Sequence, residues 1–473
     1  MLGIILAAGM GTRMKSSQPK VMHELVSHPL LEWVLNSFEH LIEDKHCDKI
    51  AVVIGENMPA LKTLVARWSL EKGIEVRLFY QKERLGTGHA VKMAMPAITE
   101  LKDAEPVYIL CGDVPLIKSE TLKKMLLVYQ GGDIDAAVLT VEKEDPSGYG
   151  RIVKDQNDTI KKIVEHKDAT PEQLSIKEIN SGMYLVKAAP LRESLNLLKN
   201  DNRQCEYYLT DIVEWMDKNG GKVISVITDD HYEVSGINNR YQLSLLEKVA
   251  RKRINKAHMM NGVTMIDPEQ VYIDPQVSIE PDCIIEPMTI VKGKVSIGRN
   301  CIIGPMTQIE DSVIGEGNRI ERSHLSGVRV KNNVKIGPFA RLRENTVLED
   351  NVKIGDFVET KKTTVGKGSK AQHLSYLGDT TIEEDVNVGA GTITCNYNGF
   401  SKSQTLIEKE AFIGSNTSLV APVKIGKGAI VGAGSVIVRD VPEDCLSIAR
   451  GKQSNKEKRA SELKKKYKKE RNG

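Results

Sequence analysis

Hydrophobic positions in the first half of the chain fall in short unbroken runs. The runs IILAA, IAVVI, VRLFY and VYILC alternate with segments whose apolar residues recur at helical spacing, among them LLEWVLNSFEHLI and SETLKKMLLVYQ. Aliphatic runs with little polar alternation are typical of strands that are covered on both faces. Their alternation with helices predicts an α/β domain over residues 1–238, built on a mixed, mainly parallel sheet whose ligands bind beyond the carboxyl ends of the strands.

The second half of the chain has a period of six. Aliphatic residues stand six positions apart at Ile273, Ile279, Ile285, Val291, Ile297, Ile303 and Ile309, and a second series two places earlier comprises Val271, Val277, Cys283, Thr289, Val295, Cys301 and Thr307. The register returns at Val330, Ile336, Leu342, Leu348 and Ile354, and again at Ile413, Leu419, Ile425, Val431 and Ile437. A helix cannot produce this repeat, whereas one flat side of a parallel β-helix is a six-residue unit. At three sides and about 18 residues a coil, residues 271–437 predict about nine coils within a domain at 263–451.

Two segments flank the repeats. RYQLSLLEKVARKRINKAHMM, which contains neither Gly nor Pro, predicts a rigid helical linker within residues 239–262. Residues 452–473 hold ten Lys or Arg against three Glu, so this tail contributes +7 to a formal net charge of +3 and the rest of the chain carries −4. We expect the tail to be solvated and partly helical, and the negative body argues against a basic nucleic-acid binder.

Composition narrows the class further. The N-terminus lacks the basic region and long apolar stretch of a signal peptide, and no later stretch reaches about 18 apolar residues, so we expect neither export nor membrane insertion. Seven cysteines, odd in number and without a CxxC pair, favour neither a disulfide framework nor a zinc site. We therefore expect a cytoplasmic protein.

The first predicted strand leads into a loop with phosphate-binding chemistry, LAAGMGTRM. Small residues at Ala7, Ala8 and Gly9 let the backbone approach a nucleotide closely and aim its N–H groups at phosphates. Arg13 and Lys20 can neutralise the charge of a triphosphate. A dinucleotide-binding fingerprint is disfavoured because GMGTRM lacks the third glycine of GxGxxG, and the lysine of a Walker A loop is also missing.

Further motifs point to a family. LAAGMGTRM with PKVMHEL resembles the sugar-nucleotide pyrophosphorylases, and nearly the whole chain resembles the bacterial bifunctional N-acetylglucosamine-1-phosphate uridyltransferases and glucosamine-1-phosphate acetyltransferases. Motifs of that family follow in its order as QKERLGTGHA, LCGDVPL, GYGR, IVEHKDAT, INSGMY and VSGINNR. The resemblance implies a Rossmann-like nucleotidyltransferase domain and a left-handed β-helix. It also implies acetyl transfer from acetyl-CoA to glucosamine-1-phosphate, followed by uridylyl transfer from UTP to N-acetylglucosamine-1-phosphate with release of pyrophosphate.

The resemblance assigns roles in the first domain. Asp113 and Asn238 would hold Mg²⁺, while Arg13 and Lys20 would stabilise the charge that develops as a sugar-phosphate oxygen attacks the α-phosphorus of UTP. Gln81 would read the uracil, because an amide can both donate and accept hydrogen bonds. The implied UTP and UDP-N-acetylglucosamine contacts are Leu6, Ala7, Ala8, Gly9, Lys20, Gln81, Gly86, Thr87, Gly150, Glu165, Asn180 and Asn238.

Polar segments interrupt the hexapeptides in the second domain, namely RLRENT, FVETKKTT, KAQHLSYLGD, CNYNG, IGSN and SIARGK. By the same resemblance His373 is the general base that takes a proton from the attacking amine. The implied glucosamine-1-phosphate contacts are Arg343, Lys361, Tyr376 and Asn387, and the implied acetyl-CoA contacts are Asn396, Tyr397, Ser415, Ala433 and Arg450. Direct transfer needs no acyl-enzyme, so Cys395 is not expected to be a nucleophile. Two positions depart from the family pattern, Gln404 where a basic residue is usual and Asn398 where the family has the Asp of CNYDG.

The family also implies a homotrimer assembled through the β-helix, with acetyl-transfer sites at subunit boundaries. Two alternatives remain. One is a single-activity sugar-phosphate nucleotidyltransferase whose β-helix is structural or regulatory, and the other is a non-catalytic assembly subunit. The segments KAQHLSYLGD and GAGTITCNYNG favour acetyl transfer over the first alternative. The intact set Arg13, Lys20, Asp113, Asn238 and His373 speaks against the second.

Overall fold

The computed structural model describes residues 1–472 and divides the chain into two compact units, Met1–Arg251 and a second unit that begins at Lys252. The boundary falls inside the helix Arg240–Met260. This helix covers the whole segment RYQLSLLEKVARKRINKAHMM. No helix within residues 1–472 is long and apolar enough to cross a membrane.

The first unit is built on a nine-stranded sheet. Its strands are β1 (Leu2–Ala7), β2 (Lys49–Ile54), β3 (Glu75–Tyr80), β4 (Pro106–Cys111), β5 (Ala136–Glu142), β6 (Arg151–Lys154), β7 (Ile160–Val164), β8 (Glu178–Lys187) and β9 (Val223–Ile227). The order across the sheet is β9-β5-β8-β4-β1-β2-β3, with β6 beside β8 and β7 beside β6. Strands β4, β1, β2 and β3 run parallel, whereas β8 is antiparallel to β4 and β5. The predicted mixed, mainly parallel sheet is confirmed, and its four neighbouring parallel strands end at one edge.

Helices surround this sheet. They are α1 (Leu30–Asn36), α2 (Glu39–Glu43), α3 (Pro59–Lys72), α4 (Thr87–Met93), α5 (Met95–Thr99), α6 (Ser119–Gln130), α7 (Pro171–Leu174), α8 (Ala188–Leu197) and α9 (Asp211–Lys218), followed by α10 (Arg240–Met260). Short 3-10 turns occupy Thr12–Met14 and Lys20–Met22, and a small hairpin joins Glu24–Leu25 to His28–Pro29. The segment LLEWVLNSFEHLI forms two helices, α1 and α2. Ser37 caps the end of α1, and its hydroxyl donates to the Val34 carbonyl (2.7 Å).

Strand β1 shows why the first half reads as unbroken aliphatic runs. Its side chains alternate between two hydrophobic cores, so that Ile5 and Ala7 pack in one core and Leu2 and Ile4 in the other. All four are buried. Since helices cover both faces of the sheet, neither side of the strand needs polar residues.

The second unit is a parallel β-helix. One face is an eleven-stranded sheet made of Thr264–Met265, Ile284–Ile285, Ile302–Ile303, Arg319–Ile320, Lys335–Ile336, Lys353–Asp356, Lys370–His373, Asn387–Val388, Phe412–Ile413, Ile430–Val431 and Leu446–Ser447. The other faces share a seventeen-stranded sheet made of Tyr272–Ile273, Ser278–Ile279, Ile290–Lys292, Ser296–Ile297, Gln308–Glu310, Val313–Ile314, His324–Ser326, Arg329–Val330, Arg341–Leu342, Val347–Leu348, Glu359–Val365, Tyr376–Ile382, Ile393–Cys395, Thr405–Ile407, Ser418–Val420, Val423–Ile425 and Val436–Ile437. A 3-10 turn, Pro268–Gln270, lies near its start.

Successive coils stack in register, as Ile285 does on Ile303. Every residue of the predicted six-residue series is buried in the unit's core, which confirms the repeat. Burial of each aliphatic side chain contributes about 1.5–3 kcal/mol to stability. The buried Thr289 hydroxyl donates to the Glu286 carbonyl (2.7 Å), so its polar atom is satisfied. The eleven-stranded face extends one strand beyond residues 271–437 at each end. Left-handedness stays a prediction from the family resemblance.

Within the basic tail, the helix α11 spans Arg459–Asn472. All seven cysteines, which lie within the described residues, are free thiols.

Candidate active sites

The first candidate site lies beyond the carboxyl ends of β1, β3 and β4, where parallel strands place their following loops together. A cavity of about 320 Å³ opens there. Its lining residues are Leu6, Ala7, Ala8, Gly9, Lys20, Val21, Gln81, Arg84, Gly86, Thr87, Ala90, Cys111, Asp113 and Glu206. The glycine-rich loop, the LGTG segment and Asp113 therefore share one cleft.

Two further cavities adjoin this cleft. One, of about 200 Å³, shares Leu6, Thr87 and Cys111 with it and is also lined by Gly148, Tyr149, Gly150, Glu165, Asn180, Ser181, Gly182, Tyr184, Leu209 and Thr210. The other shares Lys20 and Arg84 and is also lined by Met10, Gly11, Thr12, Arg13 and Asn238. Every residue that the sequence assigned to uridylyl transfer lines at least one of these three cavities.

Cations and oxygens meet where the cavities join. The Lys20 ammonium pairs with Asp113 Oδ2 and also donates to Asn238 Oδ1 (3.2 Å). The Arg13 guanidinium donates to the same Asn238 oxygen (2.8 Å). The Ile237 amide donates to the Asp113 carbonyl (3.0 Å), which ties the two segments together. Asp113 and Asn238 thus already direct a carboxylate oxygen and an amide oxygen at a single cation.

This geometry fits a magnesium ion. Mg²⁺ is usually bound by one or two carboxylates, with water and substrate phosphates completing its shell. Asp113 and Asn238 offer two hard oxygens, and no cluster of three His, Cys, Asp or Glu side chains suited to a metal occurs within residues 1–472. A metal held here would therefore take its other ligands from substrate and water.

Gln81 is a buried amide whose nitrogen is already hydrogen-bonded. Its side chain is 4 % exposed, and its Nε2 lies 3.1 Å from both the Gly86 carbonyl and His89 Nδ1. The amide nitrogen is thereby occupied, which leaves Oε1 to accept from a ligand N–H. Gly86 has φ 107°, and a Cβ there would lie 2.6 Å from the Tyr207 carbonyl oxygen, so only glycine fits this turn.

The 200 Å³ cavity contains a perturbed carboxyl group. Burial raises the pKa of Glu165, and the neighbouring carboxylates Asp168 and Glu206 add to the shift, although the Thr210 hydroxyl donates to Glu165 Oε1 (3.4 Å). Asn180 donates to the Tyr184 hydroxyl (2.8 Å), and its backbone N–H donates to the Gly150 carbonyl (2.9 Å). Polar groups of fixed orientation therefore line this cavity.

The second candidate site lies on the β-helix. Lys361 pairs in register with Gly378 on the next coil. A Cβ on Gly378 would lie 2.5 Å from the Tyr376 hydroxyl and 2.7 Å from Asn396 Nδ2, so the missing side chain leaves room for both groups. Asn396 also donates to Asp379 Oδ2 (2.6 Å). The structure thus brings Lys361, Tyr376 and Asn396 together.

The other predicted sugar-phosphate residues lie around this cluster. Arg343 donates to Glu359 Oε1 (3.1 Å), and Glu359 pairs in register with Tyr376. Asn387 pairs with Lys370 at the start of the strand that ends at His373. The His373 side chain is exposed and has no hydrogen-bond or ion-pair partner in the part of the chain that the structure describes. Within a single chain, nothing orients this imidazole towards Lys361 or Tyr376.

Three of the five predicted coenzyme residues, Ser415, Ala433 and Arg450, form a column at one corner of the β-helix. The Gly391 amide donates to the His373 carbonyl (3.4 Å), Asn416 to Ala390 (2.7 Å) and Gly434 to Ser415 (2.8 Å). Arg450 closes the column by donating to the Ala433 carbonyl (2.6 Å). Since stacked strands repeat every ~4.8 Å, Ser415 and Ala433 lie two and three coils from His373.

Tyr397 lies apart from this column, in the loop between Ile393–Cys395 and Thr405–Ile407. It is exposed, and its hydroxyl donates to the Gly399 carbonyl (2.5 Å). Asn398 Oδ1 accepts from the amides of Phe400 (2.9 Å) and Ser401 (2.8 Å). An Asp oxygen could make the same two bonds, so this departure preserves the loop. Gln404 is exposed.

Comparisons with known proteins identify the family. The model described as MobA-like NTP transferase domain matches residues 3–208, the GMPPB C-terminal domain model matches 267–365, and the bacterial transferase hexapeptide model matches 404–439. The bifunctional protein GlmU of Thermosipho melanesiensis is 48 % identical over 96 % of both chains. Proteins of the same name from Fervidobacterium nodosum and Caldanaerobacter subterraneus are each 47 % identical, over 98 % and 97 % of both chains.

The chain belongs to the GlmU family. It is accordingly a bifunctional transferase, with a nucleotidyltransferase unit followed by a hexapeptide acyltransferase unit. The expected enzyme, a glucosamine-1-phosphate N-acetyltransferase and UDP-N-acetylglucosamine diphosphorylase, is confirmed at the level of the family.

Some residues that line the first site were not predicted from the sequence. Arg84 and Tyr184 lie within the motifs QKERLGTGHA and INSGMY but were not predicted as contacts, and Glu206 and Thr210 lie in none of the motifs. Cys111 also lines two cavities, but burial raises the pKa of its thiol to about 12, which makes it a poor nucleophile. Arg84 could have been found in QKERLGTGHA as a cation beside a glycine-rich turn.

Proposed function

We propose that the cleft of the first unit transfers the uridylyl group of UTP to N-acetylglucosamine-1-phosphate and releases pyrophosphate. The β-helix unit would first acetylate the amine of glucosamine-1-phosphate with acetyl-CoA. The observation that carries the proposal is the convergence of Arg13, Lys20, Asp113 and Asn238 at the end of a loop lined with small residues.

In uridylyl transfer the protein acts by positioning and by charge. Gln81 Oε1 accepts from the uracil imide N–H, since the amide nitrogen is already bound to Gly86. Arg13 and Lys20 neutralise the triphosphate as negative charge moves to the departing pyrophosphate. Asp113 and Asn238 would hold Mg²⁺, which supplies further charge stabilisation at the phosphates when bound. A sugar-phosphate oxygen attacks the α-phosphorus directly, so no protein nucleophile is needed.

The adjoining cavity would hold the sugar. Glu165 and Asn180 face it from different strands and loops, and both are oriented by neighbouring groups, Thr210 and Tyr184. A carboxyl group of this kind accepts hydrogen bonds from sugar hydroxyls, and the Gly150 segment gives the ring room. The shared wall with the nucleotide cleft would bring the sugar phosphate to the α-phosphate of UTP.

In acetyl transfer, the amine nitrogen attacks the thioester carbonyl, a C–N bond forms and the C–S bond breaks. His373 would take the proton that the amine loses, and the coenzyme leaves as a thiol after protonation. Lys361 and Arg343 would neutralise the sugar phosphate, while Tyr376 and Asn387 orient the sugar. The column Ser415, Ala433 and Arg450 would carry the coenzyme towards His373.

The proposed assembly is a homotrimer, and the exposed corner of the β-helix supports it. Exposed apolar side chains follow one another on successive coils there, namely Met288, Met306, Phe339, Phe357 and Leu374, with Arg322 between the second and third. The rings of Phe339 and Phe357 stack, with centroids 5.4 Å apart. Such an apolar ridge favours contact with another copy, which would also supply the partners that His373 lacks. Light scattering coupled to gel filtration tests this assembly, and a monomer would contradict it.

One assay separates this function from its alternatives. Purified protein receives glucosamine-1-phosphate, acetyl-CoA, UTP and Mg²⁺, and free thiol and pyrophosphate are followed separately. We expect thiol release first and pyrophosphate release that depends on it. If glucosamine-1-phosphate and acetyl-CoA release no thiol, while added N-acetylglucosamine-1-phosphate and UTP still release pyrophosphate, the result would favour a single-activity nucleotidyltransferase. Neither product under either condition would indicate an assembly subunit. We propose that the protein is cytoplasmic. The cytosol keeps thiols reduced, which is compatible with the protein's seven free cysteines.

A further inference from the structure

Arg84 occupies a bridging position in the nucleotide cleft. It lies in the loop between β3 and α4, and its Nε donates to the Ala8 carbonyl (3.1 Å) in the glycine-rich loop. It lines both the 320 Å³ cleft and the adjoining cavity that contains Arg13 and Asn238. Arg84 and Lys20 are the two residues that line both cavities.

Arg84 differs from the two other cations here in what it binds. Lys20 pairs with Asp113, and Arg13 donates to the Asn238 side chain. Arg84 donates to a backbone carbonyl, and no carboxylate among residues 1–472 forms an ion pair with it, although Glu206 lines the same cleft. Its terminal nitrogens are thus available to a ligand, while the bond from Nε fixes the plane of the guanidinium.

We infer that Arg84 binds the phosphates of UTP that leave as pyrophosphate. The inference rests on the proposed uridylyl transfer. A planar guanidinium offers two parallel N–H donors to phosphate oxygens, a geometry that a lysine cannot reproduce. Arg84 lines the cavity of Arg13 and Lys20 as well as the cleft, whereas Gln81 lines the cleft alone, so Arg84 is the one of the two that lies beside the other cations.

The reverse reaction tests the inference, because pyrophosphate carries no base or sugar. For Arg84→Ala we expect the KM for pyrophosphate, in the pyrophosphorolysis of UDP-N-acetylglucosamine, to rise about tenfold. The KM for UDP-N-acetylglucosamine should change less than twofold. Arg84→Lys, which keeps the charge but loses the fork, should give an intermediate value. An unchanged thermal unfolding midpoint of the first unit, which contains Arg84, checks that the variants are folded.

Lys82→Ala is the matched control. Lys82 lies two residues away in the same loop, is 77 % exposed and is 3.5 Å from Glu56, so its removal deletes the same charge outside the cavities. We expect wild-type kinetics from this variant. The inference is overturned if Lys82→Ala raises the pyrophosphate KM as much as Arg84→Ala does, if Arg84→Ala leaves that KM unchanged, or if both KM values rise equally, as a purely structural role would predict. Absence of pyrophosphorolysis in the wild-type protein would instead contradict the proposed function.

Discussion

Lys20 Nζ donates to Asn238 Oδ1 over 3.2 Å, although 218 positions separate the two residues in the chain. The same ammonium pairs with Asp113 at the end of β4. Three segments far apart in sequence therefore meet at one cation, with Asp113 22 % exposed and Lys20 13 % exposed. A site assembled in this way depends on charge, which makes it sensitive to single substitutions.

Asp113→Asn should abolish most uridylyl transfer and spare acetyl transfer. The substitution keeps the shape of the side chain but removes the charge that faces Lys20 and the proposed metal. We expect kcat for pyrophosphate release to fall about 10²–10³-fold, in line with the loss of one charge-stabilising group. Release of free thiol in the same preparation should stay at the wild-type rate. Equal loss of both activities would show that Asp113 supports the fold and not the reaction.

His373→Gln should have the opposite selectivity. Without the imidazole, no group takes the amine proton, and acetyl transfer should fall about 10²–10⁴-fold. Pyrophosphate release from added N-acetylglucosamine-1-phosphate should not change, because the first unit holds that site. Acetyl transfer at the wild-type rate would remove His373 from the mechanism.

Cys395→Ala is the companion variant for the acetyl-transfer site. Cys395 directly precedes Asn396 and ends the strand Ile393–Cys395. We expect thiol release at the wild-type rate, since direct transfer from thioester to amine needs no acyl-enzyme. Loss of acetyl transfer, together with a trapped acetyl group on the wild-type enzyme, would contradict direct transfer.

Substitutions at two glycines of the nucleotide cleft distinguish backbone strain from loss of space for the ligand. Gly86→Ala forces an L side chain to φ 107° and against the Tyr207 carbonyl, so we expect a lower unfolding midpoint for the first unit and weaker UTP binding. Gly9→Ala meets no protein atom within 4 Å, so we expect an unchanged midpoint and a raised KM for UTP. Thermal denaturation and initial rates measure both effects. Equal destabilisation by the two variants would contradict the steric argument.

The sequence predicted the β-helix more completely than the sites. A residue such as Ile303 is recognised from its neighbours six positions away, because each coil repeats the same burial. The cleft has no such repetition. The motif QKERLGTGHA contains Arg84, but its contact with the glycine-rich loop depends on β3 and β1 ending at the same edge of the sheet, a relationship that no local pattern contains. The groups that would contact the His373 imidazole could not be predicted either, because no side chain of the described residues forms a hydrogen bond or ion pair with it.

Asp211, at the start of α9, gives the first unit a pH-dependent stability. Burial raises its pKa to about 6, from an unfolded value of about 3.9. The carboxylates that add to this shift are Glu214, Glu165, Asp201 and Asp168. Because the folded pKa is the higher one, the folded chain keeps a proton between about pH 4 and pH 6 that the unfolded chain has released, and stability falls as the pH rises through this window.

Asp211→Asn removes that cost and should raise the stability of the first unit at pH 7 by roughly 1–3 kcal/mol, with little gain at pH 4. Urea denaturation at the two pH values measures the difference. Asp217→Asn, on the same helix, is the control, since it breaks a 2.8 Å ion pair with Lys161 and should give no gain at either pH. At pH 4 the folded chain already holds Asp211 protonated, so replacing it with Asn removes no buried charge. An equal gain in stability at pH 4 and pH 7 would therefore exclude the titration of Asp211 as the cause.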